Sequence, residues 1–189
     1  MTFADYKRTP VKPVTMLEGV YEGGEEYHYP ITPLLVRREA YYTCLAGGFH
    51  GYGHNDSWRV KPAWKSALDT PGAKEMAVLK QVFTGLPEWW TLVPDQAVLT
   101  SGGNSKGDKL NLAARSATGK WIVAYVAGEP TMTVNMRVIT AADSVSAFWI
   151  DPLSGHEEQA GTFSARNTRS FTRPATWEDA IFVVKAETK

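Results

Sequence analysis

The predicted fold depends on one stretch, Lys12-Pro-Val-Thr-Met-Leu-Glu-Gly-Val-Tyr-Glu-Gly23. Its apolar run from Val14 to Leu17 predicts a short buried strand that starts after Pro13, where a missing backbone N–H is tolerated. Glu18 follows this strand directly, and a second carboxylate, Glu22, follows four residues later. Parallel α/β folds build their sites at the carboxyl ends of strands, so these carboxylates are candidates for a functional site.

A second strand with a polar ending follows one helix later. Thr32-Pro33 predicts a helix N-terminus, with threonine as the cap and proline at the first helical position. Gly47-Gly48 predicts the end of that helix. The next strand is centred on Phe49 and opens into the loop Gly51-Tyr-Gly-His-Asn-Asp-Ser-Trp58. This order predicts a strand–loop–helix–strand unit with its polar chemistry at one edge.

The pattern changes from mixed to β-rich along the chain. Thr70-Pro71 repeats the cap signal, and apolar spacing from Met76 to Phe83 predicts another helix. Short β-rich runs separated by turn residues then follow: Leu110–Arg115, Trp121–Val126, Met132–Val138, Val145–Ile150, Gly161–Phe163, Ser170–Arg173 and Ala180–Ala186. Such runs are typical of a small antiparallel β-sandwich. We therefore expect an α/β part in residues 1–95 and an all-β part in residues 96–189.

Composition argues against several classes of partner. The 20 basic and 20 acidic residues balance, which disfavours nucleic acid as a partner. A single cysteine excludes an internal disulfide framework and a cysteine-rich metal site. No apolar run reaches the roughly 20 residues of a membrane-spanning helix. The first residues lack the hydrophobic core of an export signal, and the localisation is therefore left open.

Three stretches resemble the end of the apiosidase-like glycoside hydrolases: Lys12 to Glu22, Val36 to His54, and Trp64 to Ala73. That family joins a (β/α)₈ barrel to a C-terminal sandwich named after the collagen-binding domain of a collagenase, and the tail Trp177 to Ala186 resembles this sandwich. The resemblance implies that Val14–Leu17 is barrel strand seven and Phe49–His50 is strand eight. The implied fold class is α/β plus all-β, the last two βα units of a barrel followed by an antiparallel β-sandwich.

The resemblance also implies a divided catalytic pair. In enzymes of this kind the nucleophile comes from strand seven and the acid/base from strand four. Glu18 matches the nucleophile position, whereas nothing in the sequence matches the strand-four acid, because strands one to six have no counterpart. A whole barrel needs about 250 residues. The expected protein is therefore a truncated or split glycoside hydrolase, whose relatives commonly act outside the cytoplasm.

Further side chains are expected to line the barrel opening next to Glu18 and to contact a sugar: Tyr21, Glu22, His50, Tyr52, His54 and Trp58. For Glu22 the alternative is a hydrogen bond to loop backbone or to an arginine. For the aromatic and histidine side chains the alternative is packing of the barrel top. The histidines match no standard metal-ligand spacing, so neither a metal nor a cofactor is predicted.

The sequence leaves three functions open. The first is hydrolysis or binding of glycosides through Glu18. The second is a non-catalytic module that binds carbohydrate or a protein surface. The third is a hydrolase of another type, such as an esterase, although the chain has no Gly-x-Ser-x-Gly elbow. Carbohydrate is the expected partner, and uncovered strand edges in a partial barrel predict a homo-oligomer.

Overall fold

The computed structural model describes residues 2–25, 27–104, 106–107 and 109–187. The chain divides into two compact units, Met1–Gln81 and Val82–Lys189. The fold is mixed α/β, with mostly antiparallel sheets and few helices, which confirms the expected class in this coarser form. The predicted domain boundary near residue 95 stays a prediction.

The first unit is built from short strands and longer helices. In chain order they are α1 (Thr2–Tyr6), β1 (Thr15–Met16), α2 (Pro33–Leu45), β2 (Phe49–His50), α3 (Asn55–Trp58) and α4 (Pro71–Thr84), whose last turn lies beyond the unit. The predicted cap of α2 is confirmed, because Thr32 Oγ1 accepts a hydrogen bond from Leu35 N at 3.3 Å. The predicted helix after Thr70 is also confirmed as α4.

Strands β1 and β2 pair in parallel, with Met16 opposite His50. The Gly51 N–H donates to the Met16 carbonyl at 2.8 Å, which continues the pairing past the end of β2. The predicted strand Val14–Leu17 is reduced to its two central residues, so Glu18 follows β1 after one intervening residue. A parallel pair requires a crossover connection, which α2 supplies here. Both strands therefore end at the same edge.

One residue of the polar face predicted for α2, Arg37, is buried. The sequence places Arg37 on a face that is expected to be solvated or salt-bridged. The residue is 3% exposed, and its Nη1 donates to Glu75 Oε2 in α4 at 3.0 Å. The solvated alternative is therefore wrong for Arg37, and the salt-bridged alternative is correct. A buried guanidinium is kept in a protein interior because it is paired.

In the described part of the second unit, the strands form two antiparallel sheets. The strands are β3 (Leu92–Pro94), β4 (Leu99–Ser101), β5 (Asn111–Ser116), β6 (Trp121–Val126), β7 (Thr131–Asn135), β8 (Ser144–Ile150), β9 (Glu157–Ser164), β10 (Thr168–Thr172) and β11 (Ala180–Ala186). The larger sheet has the order β3-β5-β6-β11-β8-β9, and the smaller has the order β10-β7-β4. A single hydrophobic cluster draws buried side chains from both sheets, including Ile122, Phe182, Met132 and Val134.

The sequence pattern misses two short strands and shortens another. Strand β3 contains Pro94, which a sheet tolerates because β3 is an edge strand. Strand β4 is only three residues long. Strand β9 is predicted only at Gly161–Phe163, but it begins at Glu157. It is also an edge strand with several exposed polar residues, so it lacks the alternation that marks a half-buried strand.

Candidate active site

Glu18 lies in an exposed bend at the carboxyl end of β1. Its side chain makes no hydrogen bond or ion pair with the residues that the structure describes. The backbone next to Glu18 is fixed by a residue of α2, because Val20 N donates to Glu39 Oε2 at 2.8 Å. Gly19 lies so close to the same carboxylate that a side chain there would force Glu39 to move. The result is an exposed carboxylate on a backbone that α2 positions.

Glu22 is 6% exposed, and its carboxylate is surrounded by donors. Oε2 accepts from the hydroxyls of Tyr52 at 2.6 Å and Thr70 at 2.8 Å. Oε1 accepts from Gly72 N at 3.2 Å. Thr70 and Gly72 flank the start of α4, where unpaired N–H groups and the helix dipole favour a carboxylate. The Glu22 carboxylate is therefore bound within the protein, but by two hydroxyls and a helix N–H rather than by the loop backbone or the arginine of the sequence-based alternative.

Backbone contacts join the loop after β1 to the loop after β2. Glu22 N donates to Gly53 O at 3.0 Å, and Asn55 N donates to Glu22 O at 2.9 Å. Glu22 and His54 therefore form a parallel bridge beyond the ends of the strands. Burial, followed by the hydrogen bond to Glu22, raises the pKa of the Tyr52 phenol above its ordinary value. Tyr52 is thus held as a neutral donor to the Glu22 carboxylate.

His50 is not part of the Glu22 network. Both ring nitrogens are buried and have no hydrogen-bond partner among the described residues. Burial lowers the pKa of His50, and the nearby Glu39 carboxylate opposes this shift. Cys44 of α2 lies against the His50 backbone, and burial raises the pKa of its thiol to about 12. His50 is therefore surrounded by groups of α2, whereas Tyr52 contacts the start of α4.

His54, Tyr21 and Trp58 lie around the short helix α3, with His54 at its start and Trp58 at its end. Nδ1 of His54 accepts from Asp56 N at 3.1 Å and so caps this short helix. The rings of Tyr21 and Trp58 meet edge to face with their centroids 6.2 Å apart. Trp58 is 58% exposed, and the Arg59 guanidinium carbon lies 4.9 Å from its ring centroid. An exposed indole of this kind has a flat apolar face that suits a sugar ring.

The predicted site residues therefore fall into separate groups. Glu22 and Tyr52 share one hydrogen-bond network, and Tyr21 and Trp58 share one aromatic contact. The roles predicted for all of these residues in catalysis and sugar binding stay predictions. Within the described ranges, no group of three or more His, Cys, Asp or Glu side chains could hold a metal ion.

Sequence reasoning misses three residues that shape these groups. Glu39 holds the loop after Glu18, and Thr70 and Gly72 hold Glu22. The Thr70-Pro71 cap signal identifies Thr70 as the start of a helix, but not as a partner of Glu22. No local pattern identifies Glu39, because its partner, Val20, is 19 positions away.

Two family models match the chain. Residues 1–91 match "Apiosidase-like, catalytic domain", and residues 93–185 match "Putative collagen-binding domain of a collagenase". Each match covers just under half of the chain. The family resemblance inferred from the sequence is thereby confirmed, for the first part by one model and for the second part by the other.

Solved structures of glycoside hydrolases are similar to this chain. One, described as "Glycoside hydrolase", has a TM-score of 0.83 and 26% identity, over 96% of this chain and 44% of that one. A family 5 glycoside hydrolase from Bacteroides vulgatus has a TM-score of 0.83 and 27% identity, over 96% of this chain and 43% of that chain. The chain thus spans less than half the length of both structures. No protein with a curated description matches significantly.

The comparisons thus show that the chain is similar to part of the glycoside hydrolases. Among the residues described, no helix has the length and apolar character needed to cross a bilayer.

Proposed function

We propose that the chain acts on glycosides through Glu18, at the carboxyl edge of a partial (β/α)₈ barrel. In this proposal residues 1–95 are the last two βα units, and residues 96–189 are a β-sandwich. The parallel pairing of β1 with β2 across the helix α2 supports the barrel assignment. The hydrophobic cluster common to both antiparallel sheets supports the sandwich. The observation that carries the proposal is the exposed carboxylate of Glu18, which has no partner among the described residues and follows β1 after one intervening residue.

The proposed chemistry assigns Glu18 the role of nucleophile. A retaining glycosidase uses two carboxyl groups about 5–5.5 Å apart, one attacking the sugar and one protonating the leaving group. Glu22 is poorly suited to protonate a leaving group, because its carboxylate is buried and already accepts three hydrogen bonds. The chain therefore carries the nucleophile half of the pair, and the strand-four acid of the resemblance has no counterpart in it.

The remaining predicted residues are proposed to surround the sugar. Trp58 offers its exposed face for ring stacking, with Tyr21 packed against its edge. Tyr52 and Glu22 support the mouth through the start of α4. The outer nitrogen of His54 is proposed to bind a sugar hydroxyl. Both ring nitrogens of His50 are buried, so His50 is proposed only to pack beneath this surface.

An activated substrate tests the nucleophile without its acid partner. The dinitrophenolate group of a dinitrophenyl glycoside leaves without being protonated. Glu18 alone is therefore expected to displace it and to become glycosylated. A panel of such glycosides should include one that releases a burst of about one equivalent per chain, followed by slow turnover. Glu18→Gln should abolish the burst. Glu25→Gln is the matched control, because Glu25 is an exposed glutamate of the same unit, and it should leave the burst intact.

A non-catalytic module is the second candidate. It is favoured by the internal hydrogen bonds of the Glu22 carboxylate, which leave this group unsuited to catalysis. Saturable binding to a polysaccharide, with no burst from any glycoside in the panel, would select this function. Hydrolysis of aryl esters that is equal in the chain and in Glu18→Gln would instead select an esterase. Either outcome would overturn the assignment of Glu18 as a nucleophile.

Self-association is proposed as well, because apolar side chains around the strand pair are exposed. Leu17 is 74% exposed and Phe49 is 57% exposed. Exposed apolar surface next to unpaired strand edges favours association between copies. Light scattering coupled to size-exclusion chromatography should give a mass above the 20.9 kDa of one chain. A monomer at all concentrations would contradict this proposal.

A further inference from the structure

A pocket of about 710 Å³ lies within the second unit, apart from every residue assigned above. One wall is the segment 137–143 that leads into β8, and the other is the turn between β9 and β10. Alanine side chains and Ile139 form the apolar part of its lining, and Arg137, Arg166, Thr140 and Asp143 form the polar part. Most of the lining side chains are exposed, so the pocket is an open surface groove that can cover one face of a small ligand.

Arg137 is anchored but keeps its terminal nitrogens available. Its Nε donates to the Arg166 carbonyl at 2.8 Å, which fixes the position of the guanidinium. Its Nη atoms make no ion pair or hydrogen bond with the described residues. A guanidinium held through Nε and open at its end is prepared to bind an oxyanion through two parallel hydrogen bonds.

Arg166 is paired with a carboxylate that a ligand can replace. Its Nη2 lies 2.9 Å from Asp143 Oδ1, and the two side chains are 81% and 87% exposed. Ion pairs this exposed to water contribute little to stability, so little free energy opposes exchange of one partner. The lining therefore holds two guanidinium groups against one carboxylate, an excess of one positive charge at a site in a chain whose net charge is zero.

We propose that this pocket binds an acidic saccharide, with the carboxylate or sulfate of one sugar held between Arg137 and Arg166. The small alanine side chains leave space for a ring, and Thr140 offers a hydroxyl for a neighbouring sugar hydroxyl. The glycoside hydrolases that resemble this chain favour a saccharide over an acidic peptide as the source of the anion. The inference does not depend on Glu18, because it concerns a different unit of the chain.

Calorimetric titration of the full chain tests the proposal with four probes. They are an oligosaccharide ending in glucuronic acid, its sulfated counterpart, its neutral glucose counterpart, and a short peptide rich in aspartate. At least one acidic saccharide should bind saturably, and raised salt should weaken its binding. Arg137→Gln should weaken it roughly tenfold or more, because it removes the charged donor pair. Arg169→Gln is the matched control, since this arginine packs over Phe163 outside the pocket.

Asp143→Asn supplies a test that loss of folding cannot imitate. It removes the internal competitor for Arg166, so the acidic saccharide should bind several-fold more tightly. The carboxylated and sulfated arms identify which anion is preferred, and either result supports the site. Equal binding of the neutral saccharide, equal or tighter binding of the peptide, no saturable binding at all, or an equal loss in Arg169→Gln would overturn the proposal. Weaker binding in Asp143→Asn would also overturn it.

Discussion

Replacing Glu22 by alanine should destabilise the first unit rather than merely weaken sugar binding. The change leaves the Gly72 N–H and the Tyr52 hydroxyl without their charged acceptor. Thr70 keeps a second acceptor, the Ala67 carbonyl at 3.0 Å, so it contributes less to the loss. Each bond to a charged group is worth about 1.5–3 kcal/mol. Two such bonds predict a loss of about 3 kcal/mol or more in the free energy of unfolding.

Urea denaturation followed by circular dichroism, with hydrogen exchange at the start of α4, measures this loss. Exchange of amides in the first turn of α4 should accelerate, because the cap of the helix has gone. Glu25→Ala is the matched control, since Glu25 is exposed, and it should change the stability by less than about 0.5 kcal/mol. A stable Glu22→Ala protein that had lost only its affinity for a saccharide would refute the anchoring role and restore Glu22 as a ligand-binding residue.

Three further predictions concern buried and half-buried ionisable side chains. Arg37→Met should lower the free energy of unfolding by about 3 kcal/mol, because the buried Glu75 loses the Arg37 guanidinium. The double variant with Glu75→Leu should recover most of this loss, and additive losses would contradict the prediction. The pKa of His50 is lowered in the folded state, so the free energy of unfolding should fall as the pH drops below about 6.5. An equal fall in His50→Gln would exclude His50 as the cause. Because the pKa of Tyr52 is raised, stability should fall above about pH 10, and Tyr52→Phe should lack that part of the fall in alkaline denaturation curves.

Local signals in the sequence predict the helices and the central strands. Thr32-Pro33 and Thr70-Pro71 each mark the start of a helix, and both helices occur there. Strands β6 and β11 match their predicted bounds, because both lie inside the larger sheet and are apolar except for Lys185 near the end of β11. Such signals need only the residues of the element itself. Strands β3 and β4 are short, and β3 contains a proline, so propensity alone does not identify them.

Side-chain partners could not be predicted in the same way. The hydrogen bond from Gly72 to Glu22 spans 50 positions, and the ion pair of Arg37 with Glu75 spans 38. Both contacts depend on where α4 packs, which no local pattern specifies. The sequence could therefore nominate Glu18 and Glu22 together as carboxylates near a strand end. It could not tell that one is exposed and that the other is buried at the start of a helix.

The central claim is that Glu18 is the nucleophile of a glycoside-hydrolase-type site. The most direct measurement is peptide mass mapping after incubation with dinitrophenyl 2-deoxy-2-fluoroglycosides, which form a covalent glycosyl-enzyme that hydrolyses slowly. The account predicts one glycosyl adduct, located on Glu18 and absent from Glu18→Gln. An adduct on Glu22 or on any other carboxylate, or no adduct from any sugar in the panel, would contradict it.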